Sequence, residues 1–108
     1  MRVYLSNHAR SRLESRTKIP AKVLLWLLET ERYALLDTNP PDLFVLVWDC
    51  CKRIPVLVIM TEKHRLTRLV ITLYRPDDRE GVGSVAVSPS HISVAKQKSL
   101  EAIRRGIW

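Results

Sequence analysis

The amino-acid sequence predicts an α+β domain: two N-terminal helices packed on an antiparallel meander of three or four strands, with a C-terminal helix after it. Three observations carry this expectation. The first 30 residues hold two segments whose apolar positions recur at helical spacing, divided by Ile19-Pro20. Between residues 33 and 74 the pattern changes to runs rich in Val, Ile, Leu and aromatics, separated by short polar turns. A chain of 108 residues, 46% of them hydrophobic, has material for one core and room for one domain, 1–108.

Taken in order, Arg2–Leu5 suits a short strand, and Ser6 or Asn7 suits the N-cap of a helix reaching about Lys18. Leu5, Ala9 and Leu13 share one stripe of that helix and should face the core. Pro20 fits the first turn of a second helix over Ala21–Thr30, whose Val23, Leu24, Leu25, Leu27 and Leu28 call for deep burial. Tyr33–Asp37 is a strand candidate, followed by the turn Asn39-Pro40-Pro41-Asp42. Leu43–Trp48, Arg53–Thr61 and Leu66–Tyr74 form the meander, with Pro55 at an edge or at the start of its strand. Arg75–Ser84 is a charged, glycine-containing loop and Val85–Val87 a further short strand candidate. Ser88-Pro89-Ser90 introduces a helix over about His91–Arg105. Trp26 and Trp48 should lie in the core, and Trp108 should tuck against the body or meet a partner, packing being favoured.

The net charge is +7, and twelve of the 18 basic residues are Arg, whose planar fork of donors matches phosphate. Charge comes in blocks. Residues 1–22 net +5, 23–51 net −4, 52–79 net +4 and 80–108 net +2. If the two strongly basic blocks fold onto one side they make one patch, as a protein that meets a polyanion would need. The adjacent Cys50 and Cys51 are poorly placed to bond each other and no cysteine framework exists, which favours a reducing compartment. MRVYLSNHAR lacks the apolar core of a signal peptide, and the longest apolar runs are too short to span a bilayer. These observations predict a cytoplasmic protein without a membrane partner. His8, His64, His91, Cys50 and Cys51 show no metal-ligand spacing, and Gly81 and Gly83 lack the context of a phosphate-cradling loop, so neither metal nor cofactor is expected.

His8, Arg12 and Arg16 stand at i, i+4, i+8 and share a stripe beside the apolar one, running about 12 Å along the helix. On the last meander strand, alternation predicts Leu69, Ile71 and Leu73 on a core face, with Arg68, Val70, Thr72 and Tyr74 lining a shallow cleft opposite. Lys63, His64 and Arg65 should stand near one end of this strand and Arg75 near the other; Arg10 and Lys18 add charge around the helix. RNA cleavage needs a proton taken from the 2′-hydroxyl, a proton given to the 5′-oxygen, and relief of the charge on the phosphorane. His is suited to the proton steps, Arg to the charge, and Tyr to proton donation or base stacking. Each residue type also has an ordinary structural use, and the functional weight rests on their coincidence.

The segment Tyr4–Arg16, followed by Ile19-Pro20 and an apolar helix, resembles the His-Ala-x-x-Arg-x-x-x-Arg-x-x-Ile opening of small toxin-like domains of the RelE/ParE and BrnT-like group. That group shares a fold with barnase-type and colicin-type ribonucleases. Leu69-Val-Ile-Thr-Leu-Tyr74 is similar to its last core strand, and the resemblance covers about residues 3–76. It implies a toxin-like core over 1–76, with 77–108 as a loop and C-terminal extension, and a metal-independent endoribonuclease of toxin–antitoxin type acting on RNA. Carried over by position, it points to His8, Arg12, Arg16, Thr72 and Tyr74 as catalytic; on residue type alone, His64 is a second choice for the proton. The partners it implies are the RNA backbone and a cognate acidic antitoxin. Three departures stand out: Thr17-Lys18 replaces a glycine, the turns at 39–42 and 50–53 have no counterpart, and the tail is long. The alternative readings are a non-catalytic nucleic-acid-binding module, such as a phage or mobile-element factor, and a factor that docks an acidic host protein.

Overall fold

Strong helix caps and a broken alternation decide most of the architecture. The computed structural model describes residues 1–76 and 86–108. Its elements are β1 (Arg2–Leu5), α1 (Asn7–Arg16), α2 (Ala21–Glu29), β2 (Ala34–Asn39), β3 (Asp42–Asp49), β4 (Ile54–His64), β5 (Thr67–Tyr74) and α3 (Pro89–Arg104). The α+β class is as expected. The expected loop 75–84 and strand 85–87 fall largely outside the described residues; Ala86 and Val87 are in neither helix nor strand.

The sheet has five strands in the order β1-β5-β4-β3-β2. β2 to β5 form an antiparallel meander, and β1 adds a parallel edge strand on β5, pairing Arg2 with Thr67 and Leu5 with Val70. β1 covers only the first half of the outer edge of β5. From Ile71 onward α1 takes its place. Ser6 Oγ donates to Ile71 O at 3.1 Å, and Arg16 Nη1 donates to Leu73 O at 3.4 Å. Edge carbonyls that a strand would satisfy are thus met by a helix cap and a guanidinium. Ser6 also caps α1, accepting from Ala9 N at 3.0 Å. Thr17 ends the helix, its hydroxyl donating to Leu13 O and accepting from Ile19 N.

Two cores lie on the two faces of the sheet. On one, Ala9, Leu13 and the fully buried Val23, Leu24, Leu27 and Leu28 of α2 meet Val45, Val47, Val56, Val58, Met60, Val70 and Leu73. Each large apolar side chain buried there contributes about 1.5–3 kcal/mol. On the other face α3 covers β2 and β3, with Ala34, Leu46 and Ala95 at its centre. Ser88 caps α3 by a box in which its hydroxyl accepts from His91 N and His91 Nδ1 accepts from Ser88 N, so His91 serves the fold. Arg32 fastens α3 through Glu101 at 2.6 Å and lies 5.1 Å from the Trp26 ring. Trp108 is half-buried against the first core, the packed alternative of the two expected. Trp26 and Trp48 are half-buried rather than central. No described helix is long and apolar enough to cross a membrane.

A candidate nucleic-acid interface at the edge of the sheet

The expected alternation along β5 fails at one residue. Ile59 pairs with Thr72 and Met60 with Val70, so Ile71 is an extra, bulged residue. Everything after it changes face. Arg68, Val70 and Leu73 lie on the α1/α2 side, whereas Leu69, Thr72 and Tyr74 lie on the other. The expected row of Arg68, Val70, Thr72 and Tyr74 is therefore corrected: the bulge splits it, with Val70 in the core and Ile71 exposed.

The helix stripe forms as expected. His8 is exposed and Arg12 and Arg16 are half-exposed along one side of α1. Arg12 Nε donates to His8 Nε2 at 3.4 Å. One turn further on, Arg16 reaches round the edge of β5 and lies 5.3 Å from the centroid of the Tyr74 ring. The four side chains thus run in the order His8, Arg12, Arg16, Tyr74, with steps of about 6 Å along the helix. A phosphate held by the two guanidiniums would have an imidazole on one flank and a phenol on the other.

The remaining candidates divide. Thr72 is buried and its Oγ1 has no hydrogen-bond partner among the described residues, so its hydroxyl is not offered to an approaching strand. Arg68 is turned away from Tyr74. Its Nη1 donates to Tyr33 Oη at 3.4 Å, its Nη2 stands 3.5 Å from Glu62, and only 11% of the side chain is exposed. Burial pushes the Tyr33 phenol above its ordinary value, with Arg68 opposing it. Lys63 and His64 end β4 and Arg65 begins the turn, at the far end of β5, about 20 Å of strand from Tyr74. That distance removes His64 from a site at Arg12 and Arg16. Arg10 is exposed on the opposite flank of α1 from the stripe. Arg75 follows Tyr74 at the near end.

One organising residue was missed in the sequence. Asp49, counted there only as acidic charge, is fully buried. Its Oδ2 accepts from Lys18 N at 2.6 Å, and its Oδ1 accepts from Cys51 N at 3.0 Å and Lys52 N at 3.1 Å. It fixes the exit of α1 to the β3–β4 hairpin and so brings Lys52 in, whose Nζ donates to Arg16 O at 3.5 Å. A part of the second basic block thereby joins the first. An Asp closing a strand just before a four-residue polar turn was the available signal. Cys50 and Cys51 sit in this turn as free thiols, and burial pushes the Cys50 thiol up, helped by Asp49.

Comparison with family models, with curated proteins and with solved structures gives no match.

Proposed function

We propose that this chain is a small RNA-targeting protein of the toxin-like type, and that it cleaves RNA at the α1 edge of its sheet without needing a metal. The observation that carries the reading is the meeting of Arg16 with Tyr74, two residues 58 positions apart, in line with Arg12 and His8. Arg12 and Arg16 hold the scissile phosphate and take up charge as the phosphorane forms. His8 Nε2, which faces Arg12, receives the proton of the 2′-hydroxyl. The 2′-oxygen bonds to phosphorus, the bond to the 5′-oxygen breaks, and the Tyr74 hydroxyl gives that oxygen its proton. The products are a 2′,3′-cyclic phosphate and a 5′-hydroxyl end. Thr72, buried, and His64, distant, take no part. The RelE/ParE and BrnT-like resemblance supports the same reading, with an acidic antitoxin as the protein partner it implies.

One observation favours a binding-only reading. With Thr72 buried, Tyr74 is left as the one hydroxyl of the expected pair. A single assay separates the two. Labelled RNA is incubated with EDTA present, using wild type, His8→Ala and the Arg12→Ala/Arg16→Ala double variant. Cyclic-phosphate ends that vanish in His8→Ala, while RNA is still bound, support cleavage. Binding without products from any protein would leave a nucleic-acid-binding module. RNA neither bound nor cut would leave a factor that docks an acidic protein.

A further inference from the structure

Beyond the α1 edge, the same end of the sheet holds a cavity of about 500 Å³ between α3 and the β3–β4 hairpin. Trp48, Cys50, Arg53, Lys96, Leu100 and Ile103 line it. Its make-up is specific. Lys96 Nζ lies 4.8 Å from the centroid of the Trp48 ring, and Leu100 and Ile103 continue an apolar wall at 41% and 44% exposure. Arg53 lines the cavity as well, from the turn that Asp49 holds. Volumes of this order suit a small ligand, and the lining pairs an aromatic and apolar surface with two cations. The cavity is also connected to the first site by charge. Arg16 is followed by Lys52, whose Nζ reaches the Arg16 carbonyl; Arg53 is next in the chain, and Lys96 lines the same cavity. The register places Trp48 and Tyr74 on the same face of the sheet, two strands and two residues apart, a separation of about 12 Å. Proteins that hold single-stranded nucleic acid combine these two elements, a cationic track and aromatic platforms at intervals along it.

We infer that the Trp48–Lys96–Arg53 cavity is a subsite for a nucleotide of the RNA strand that flanks the phosphate held at Arg12 and Arg16. Its base takes the place of the Lys96 ammonium on the Trp48 ring, beside the Leu100/Ile103 wall, and the displaced Lys96 joins Arg53 at its phosphate. This rests on the RNA-targeting reading above, and it adds a contact that tolerates any base while lengthening the strand the protein can grip.

The test uses the full chain and a single-stranded oligoribonucleotide of about twelve nucleotides, enough for both sites. Its 2′-oxygens are methylated so that it binds without being cut. Arg53 has φ 56°, so Arg53→Asn removes the charge with a residue that tolerates this backbone, and Lys96→Gln lies on an exposed helix face. The double variant should bind about tenfold more weakly. Its salt dependence should fall by about 1.4 in log–log slope, the share of two phosphate contacts. RNA should quench tryptophan emission in wild type, and Trp48→Phe should abolish that quenching. Wild-type affinity in Arg53→Asn/Lys96→Gln, with binding lost in Arg12→Ala/Arg16→Ala, would overturn the subsite and keep the first site. The reverse pattern would keep the subsite and overturn the α1 reading. Quenching that survives in Trp48→Phe, or that oligo-glutamate causes and RNA does not, would also overturn the subsite.

Discussion

The two ends of β5 carry similar numbers of cations and use them in opposite ways. At the Tyr74 end, Arg16 and Lys52 converge because a buried carboxylate, Asp49, collects three backbone N–H groups from two separate segments and holds them together. The arginines there lie along a helix or over an aromatic ring, half-exposed, and each gives one donor to a neighbour, Arg12 to His8 and Arg16 to Leu73 O. At the Thr67 end, Lys63, His64 and Arg65 stand exposed around a turn, and the one arginine that is well placed, Arg68, is spent inside the molecule on Tyr33 and Glu62. Charge count does not distinguish these ends. What distinguishes them is whether an acceptor inside the fold organises the backbone that carries the cations, or takes up the cation itself.

The largest effect should come from removing the organiser. Asp49→Ala leaves three N–H groups without an acceptor and should cost about 3–5 kcal/mol in urea unfolding. It should also abolish RNA binding at the Tyr74 end. Asp49→Asn keeps one acceptor oxygen and should cost less, about 1–3 kcal/mol. If Asp49→Ala bound RNA like wild type, the convergence at this end would have no functional meaning. Next in size, Arg12→Ala/Arg16→Ala should weaken RNA binding roughly a hundredfold, about 3 kcal/mol for two charge-assisted contacts. Lys63→Ala/Arg65→Ala should weaken it by no more than about threefold, as for unspecific surface charge. Equal losses, read by anisotropy of labelled RNA at fixed salt, would erase the difference between the ends.

Much of this was legible in the sequence, and the exceptions have physical causes. The α+β class, a helix cap at Ser6 or Asn7, the helix introduced by Ser88-Pro89-Ser90, and the stripe of His8, Arg12 and Arg16 follow from periodicity and local chemistry, which act within a few residues. The parallel placement of β1 beside β5 did not follow, because it joins segments more than 60 residues apart. The facing of β5 was misread over residues 68–71, because a bulge is a property of the pairing with β4 and leaves little trace in the strand's own composition. That one residue removed Arg68 from the cleft. Asp49 was counted as charge, since the partners of a buried carboxylate are backbone groups with no sequence identity.

Arg68 gives the converse test. Arg68→Ala removes a mostly buried side chain that bridges β5 to Tyr33, and should cost about 1–2 kcal/mol in stability while RNA affinity stays within about twofold of wild type. A marked loss of RNA binding without loss of stability would show that this arginine faces a ligand after all, and that the two ends are alike.

The smallest effect concerns the brace that holds α3, and with it Lys96, against the sheet. The hydrogen bond from Arg32 holds the Glu101 carboxyl below the ordinary carboxylate value. A depressed folded-state value means that this contribution is complete above the ordinary glutamate range, about pH 5 and higher, and is lost as pH falls through the folded-state value. The difference in Tm between wild type and Glu101→Gln should therefore be constant from neutral pH down to about pH 5 and then shrink toward zero in acid. Both side chains are partly exposed, so salt should reduce the difference as well. RNA affinity of Arg12 and Arg16 should not follow this titration, because Glu101 faces α2 and β2 and not the α1 edge. A difference in Tm that grew in acid would mean that the pair opposes the fold.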